Sequence, residues 1–179
     1  KASEVILSVC PPEAAADVAR AVSALGFSGL YVDANAVAPG TAREIGTIVE
    51  KAGATYVDGG IIGPPARSHG STRLYLSGQA ASRVAALFRG SALDAIVVDG
   101  GPGAASAVKM AYASWTKGSS ALLLAVCALA SAEGVEDSLL REWKLSQADL
   151  PARSAGAAKS NAKKAGRFIG AGEGIAATY

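Results

Sequence analysis

The sequence has 179 residues, 50% hydrophobic, 18% charged and only 6% aromatic, and its 17 basic and 15 acidic side chains leave a net charge of +2. That length is enough to bury a core, and a mean hydropathy of +0.29 with so little net charge excludes a disordered chain and a general polyanion binder. Twenty-one glycines and an alanine-rich apolar fraction predict helices that pack through small faces.

Val5 to Cys10 reads as a buried strand, and Pro11-Pro12-Glu13 opens a helix through Leu25, with proline near the first helical position and an acid in the first turn. Leu30 to Ala34 is the next strand, followed by a helix from Pro39 to about Ala52 and a strand at Thr55 to Asp58. Such strand-helix-strand units predict a parallel sheet. Arg73 to Ser77 alternates as a half-exposed strand, Gln79 to Phe88 reads as a helix, and Ala95 to Val98 as a last short strand. After Gly100-Gly101-Pro102-Gly103 the pattern changes: Ala104 to about Glu133 has no proline and reads as one long helix of roughly 45 Å. A short helix at Glu136 to Lys144, a break around 148–151 and a basic helical stretch at Ala157 to Phe168 complete the chain, with 152–164 the part closest to a linker. The first strand starts almost at residue 1 and no methionine precedes it, so an upstream segment is expected.

Cys10 and Cys127 lie far apart without a CxxC or Cys/His neighbourhood, which favours a reduced, cytoplasmic setting and no metal site. No signal peptide is evident, and the longest apolar run, Ala121 to Ala130, is too short for a bilayer, so no membrane association is expected. Nor is nucleic-acid binding expected. Residues 141–179 carry seven basic and three acidic groups, but Lys159, Lys163, Lys164 and Arg167 lack interleaved aromatics and read as a solvated face.

In an open parallel sheet the ligand sits beyond the carboxyl ends of the strands. The loops to inspect are therefore 8–12, 33–39, 58–65 and 99–103. Asn35 could donate to and accept from a polar ligand, or simply stabilise its turn. Gly59, Gly60 and Gly63 permit close backbone approach to a ligand, or a tight turn. Lys109 lies near the positive end of the long helix among small apolar residues, where a cation gains nothing locally. Tyr112, Thr116 and Ser120 continue its polar stripe. It either snorkels to the surface or faces a cleft, where desolvation lowers an amine's proton affinity and suits it to proton transfer. The Gly101-Pro-Gly103-Ala-Ala-Ser106 segment half-matches a dinucleotide fingerprint, but its third small residue is serine and no second strand ending in an acid follows, so it reads as a hinge turn. His69 stands without partners in Arg67-Ser-His-Gly70 and reads as a loop residue.

Taken together, the Val5 to Pro12 strand and loop, Asp33-Ala-Asn-Ala-Val-Ala-Pro39, Gly53 to Asp58 with its glycines, and Gly103 followed by Lys109 resemble the β-hydroxyacid dehydrogenase superfamily, which includes phosphogluconate and 3-hydroxyisobutyrate dehydrogenases. Lys109-Met-Ala-Tyr-Ala113 and Trp115-Thr-Lys-Gly118 look like a poorly characterised branch of it. The resemblance implies an α/β Rossmann-type parallel sheet lacking its N-terminal part (residues 1–101), then an all-α C-terminal domain built on a long interdomain helix (102–179). It implies a homodimer formed through the helical domain, NAD or NADP as cofactor, and oxidoreduction of a hydroxyacid-like small molecule. By the same resemblance Lys109 is the catalytic acid/base, Asn35, Gly63 and Tyr112 bind substrate, and Val9, Cys10, Pro11 and Pro12, with Asn35, line the dinucleotide. Ile62 replaces the serine of the family's substrate loop, and Ala113 stands where many members have asparagine. These apolar exchanges argue against a phosphorylated sugar acid as substrate. The alternative is a non-catalytic dimerisation or regulatory module that keeps the fold.

Overall fold

The computed structural model describes residues 3–161 and 175–178. Five strands, β1 (Val5–Ser8), β2 (Leu30–Asp33), β3 (Thr55–Ile62), β4 (Thr72–Ser77) and β5 (Leu93–Val97), form one sheet in that linear order. Every residue of β2 is buried, because it has a paired strand on each side and packed side chains on each face. Alternation along β2 divides the core: Tyr31 packs with Ala15, Ala19, Ile45, Val49 and Tyr56 on one face. Val32 packs with Val57, Leu74, Leu76 and Val84 on the other. The first face is covered by α1 (Ala15–Ala24) and α2 (Pro39–Lys51), the second by α3 (Ala81–Leu87).

The structure corrects several sequence expectations. The sheet is not wholly parallel: β1, β2 and β3 run together, but β4 is antiparallel to β3, and β5 is parallel to β4. Residues 63–71 return the chain without a crossover helix, and such a connection joins only antiparallel neighbours. The presumed glycine loop after Asp58 is largely strand, since β3 runs on to Ile62 and pairs Gly59 and Gly60 with Leu76 and Tyr75. The first strand ends at Ser8 and is only partly buried, lying at a sheet edge; Pro11 has no amide to extend a ladder. The third helix is shorter than expected; the break anticipated around 148–151 falls at 147–149, and the part read as closest to a linker is, as far as Asn161, helix α6 (Leu150–Asn161), with Pro151 in its first turn. The rest of the expected basic helix, with Lys163, Lys164 and Arg167, lies outside the described residues.

The long helix, α4 (Ala104–Ala132), has the expected extent. Residues 3–111 and 175–178 form one compact unit and 112–161 another, so α4 contributes to both. The second unit contains the rest of α4, α5 (Glu136–Ser146), which buries Trp143, and α6, whose Arg153 guanidinium stands 6.0 Å over the Trp115 ring. At 29 residues with a window of mean hydropathy 1.3, α4 is long and apolar enough to cross a membrane, which the run from Ala121 to Ala130 alone did not reveal. Trp115, Leu122 and Leu129, seven residues apart along α4, are all exposed.

Candidate active site

At the carboxyl ends of the parallel strands a row of polar side chains crosses the sheet. Ser8, Asp33, Asp58 and Ser77 occupy matched positions on β1, β2, β3 and β4, so they point to one face, and all four are buried. Burying two carboxylates is costly unless donors converge on them. Asp33 Oδ1 accepts from the Asn35 backbone N–H at 3.1 Å and from the Asn35 side-chain amide. Its Oδ2 is buried with no hydrogen-bond partner among the described residues. Burial pushes the Asp33 pKa up to about 6, against the Asn35 donors and with help from the charge of Asp58. The Tyr56 phenol, also buried and without a partner among the described residues, is raised by burial and then by the same two carboxylates.

Asn35 links the row to the loop after β1. Its amide also donates to Ser8 Oγ at 3.1 Å, and its carbonyl oxygen accepts the Cys10 N–H at 2.6 Å. Both amide hydrogens are therefore committed inside the protein, leaving one carbonyl lone pair for a ligand. This is the turn-stabilising role weighed from sequence. The result is a fixed loop with Val9 61% exposed beside Pro11 and half-buried Cys10 and Pro12.

At the other end of the row, Asp58 holds the start of α4. Its Oδ2 accepts the N–H groups of Gly103 and Ser106 and the Ser77 hydroxyl, each at 3.0 Å, and its Oδ1 accepts the Ser106 hydroxyl. Ser77 Oγ in turn accepts the Ala105 N–H at 3.1 Å. One turn further, half-buried Lys109 donates from Nζ to the Ile61 carbonyl at 2.6 Å. Gly60 makes this approach possible, since a β-carbon there would lie 3.0 Å from both the Ala105 carbonyl and the Lys109 β-carbon.

Lys109 thus stands at the carboxyl end of β3, and Val9, Cys10, Pro11 and Pro12 at that of β1. Asn35 is bonded to Cys10 directly. Gly63 is exposed with φ +127°, and a side chain there would strike the Ser71 carbonyl, so a close chain crossing accounts for the glycine. Tyr112 follows Lys109 on α4 and is half exposed. His69 lies in the exposed loop 63–70, as expected. No group of three or more His, Cys, Asp or Glu suited to a metal occurs among the described residues. Asp58 and Ser106 were missed from sequence: they lie 48 residues apart, and only their pairing gives them a role.

No protein-family model matches the chain. An uncharacterised 28.5 kDa protein of Methanothermus fervidus is 32% identical over 141 residues, which is 78% of this chain and 53% of that protein. The chain thus spans about half the length of the curated relative it matches. Among solved structures, a conserved protein of unknown function, MTH1747, described as structurally similar to 3-hydroxyacid dehydrogenases, superposes with a TM-score of 0.78 at 29% identity. That match covers 98% of this chain and 67% of that one. Two others share the fold: the 3-hydroxyisobutyrate dehydrogenase of Mycobacterium tuberculosis with L-serine (TM-score 0.60, 18% identity, 80% and 51% coverage) and a variant imine reductase of Myxococcus stipitatus with NAD+ (0.58, 24%, 93% and 58%).

Proposed function

From a chain with the fold of the β-hydroxyacid dehydrogenase superfamily, we propose a role as part of an NAD- or NADP-dependent oxidoreductase that acts on a hydroxyacid-like small molecule, with Lys109 as general acid/base. The observation that carries this is the half-buried Lys109 ammonium held on the Ile61 carbonyl, beyond the carboxyl ends of β1 and β2, where open α/β sheets take their ligands. The loop of Val9, Cys10, Pro11 and Pro12 has no charged side chain and one well-exposed valine, a surface that fits the ring end of a nicotinamide. A bound nicotinamide supplies the hydride acceptor for oxidation, or the donor for reduction.

The chain's own residues do the rest. Lys109 takes the substrate hydroxyl proton when its amine is neutral and returns it in the reverse direction, while the Ile61 carbonyl fixes the ammonium between turnovers. Asn35 holds the nicotinamide loop and offers its remaining carbonyl lone pair; Gly63 and Tyr112 complete the substrate side. The protein works as a homodimer in the cytoplasm, where its free thiols Cys10 and Cys127 stay reduced. A non-catalytic module is the second reading, favoured by the internal commitment of both Asn35 amide hydrogens.

The two are separated by calorimetry with NAD and NADP on the full-length protein and an absorbance screen of hydroxyacids. An active substrate should lose about 100-fold or more in kcat with Lys109→Ala. Failure to bind either dinucleotide, or unchanged turnover in that variant, rules out the dehydrogenase.

A further inference from the structure

The first turn of α4 draws most of its acceptors from outside the helix. Gly103, with φ +97°, precedes it and offers no side chain; the Ala104 N–H donates to the Gly101 carbonyl at 3.2 Å, which leaves the N–H groups of Gly103, Ala105 and Ser106. They are met from the sheet instead: Asp58 accepts from Gly103 and Ser106, and Ser77 from Ala105. The same strand then touches the helix twice more, where Gly60 meets Ala105 and Lys109 and where the Ile61 carbonyl receives Lys109 Nζ. Three positions of β3 therefore set the axial and rotational place of the helix that carries the lysine.

We propose that Asp58 is a positioning residue for Lys109 that acts through its charge as well as its grip on the first turn of α4, keeping the amine protonated and on the Ile61 carbonyl. A buried carboxylate at this end of the helix also offsets the positive pole of the helix dipole, which would otherwise disfavour a lysine two turns in. Among the described residues, the charged and titratable groups at the junction include Asp58 on β3, Asp33 beside it on β2, Tyr56, and Arg43 of α2, whose guanidinium would lie 2.7 Å from a β-carbon on Gly103. Removing the Asp58 charge leaves the dipole and Arg43 uncompensated, and Lys109 gives up its proton more readily. The importance of this place rests on Lys109 being the acid/base, but its measurement needs no substrate.

The test is competitive acetylation of the full-length protein across pH, with the Lys109 peptide followed by mass spectrometry. Asp58→Asn keeps an acceptor for Gly103 and Ser106 but removes the charge, and it should move the Lys109 midpoint to lower pH, a fall of about threefold in proton affinity. Ser106→Ala, which keeps the charge, should leave the midpoint in place. A folded Asp58→Asn protein with an unchanged midpoint overturns the proposal, since a purely structural cap would behave that way. If Asp58→Asn does not fold, the double variant Asp58→Asn, Ser106→Asp supplies a carboxylate from the helix side. A wild-type midpoint in that protein supports the proposal, and a displaced midpoint or failure to fold overturns it. Loss of dehydrogenase activity alone leaves this outcome untouched, and an intact midpoint shift says nothing for the dehydrogenase.

Discussion

Asp33 shows how one buried side chain couples the candidate site to pH. Its carboxyl titrates at about 6 in the folded protein against an ordinary 3.8, because burial outweighs the two Asn35 donors. The folded state therefore binds this proton more tightly than the unfolded chain does. The stabilisation is complete below about pH 4 and is lost as pH rises through 6, by about 3 kcal/mol at most. Asp33→Asn preserves an acceptor for Asn35 and removes the titration, so the unfolding free energy read from urea titrations should fall between pH 4 and 7 in the wild type by that much more than in the variant. Equal pH profiles would show that Asp33 is ionised normally. Asn35, in the loop after β2, and Lys109, on α4, were both legible in the sequence as polar residues in apolar surroundings. The partners of Asn35 were not, because Ser8 and Cys10 lie 27 and 25 residues away.

At the level of elements, the site depends on how closely α4 lies on β3. Gly59 and Gly60 read as a turn because glycine weakens strands, yet Gly60 stays in the strand because the helix backbone leaves no room for a side chain. Gly60→Ala should cost about 1–3 kcal/mol by overpacking, read from thermal or urea unfolding. Gly40→Ala, in α2 with nothing within 4 Å of the new methyl, should instead stabilise by about 0.5–1 kcal/mol. Equal effects would mean that the helix does not press on the strand. The extent of α4 was readable from its lack of proline, and β4 from its alternation. The direction of β4 was not, since alternation records which face is buried and carries no sign for strand polarity. The start of α6 was hidden for another reason: its alanine, serine and lysine content matches a linker, and only its packing with buried Ser154 and Ala157 distinguishes it.

For the whole molecule, the stripe of Trp115, Leu122 and Leu129 along α4 bears on assembly. Repeats of seven keep one seam of a helix facing a partner helix, and large exposed apolar residues on such a seam invite one. Leu122→Glu with Leu129→Glu should convert a dimer to a monomer in sedimentation of the full-length protein; an unchanged mass places the dimer contact elsewhere or denies it. The bond from Ser106 to Asp58 closes a loop of 48 residues, and the Ala105 N–H reaches Ser77 on β4. That turn is fully secured only when β3 and β4 are both in place, so the lysine end of the helix should settle late in folding, after the sheet that anchors it. Long-range closure of this kind raises contact order and slows the search for the native state. Lys109 would then be among the last side chains to reach its native partner, and its bond to the Ile61 carbonyl would report a finished fold.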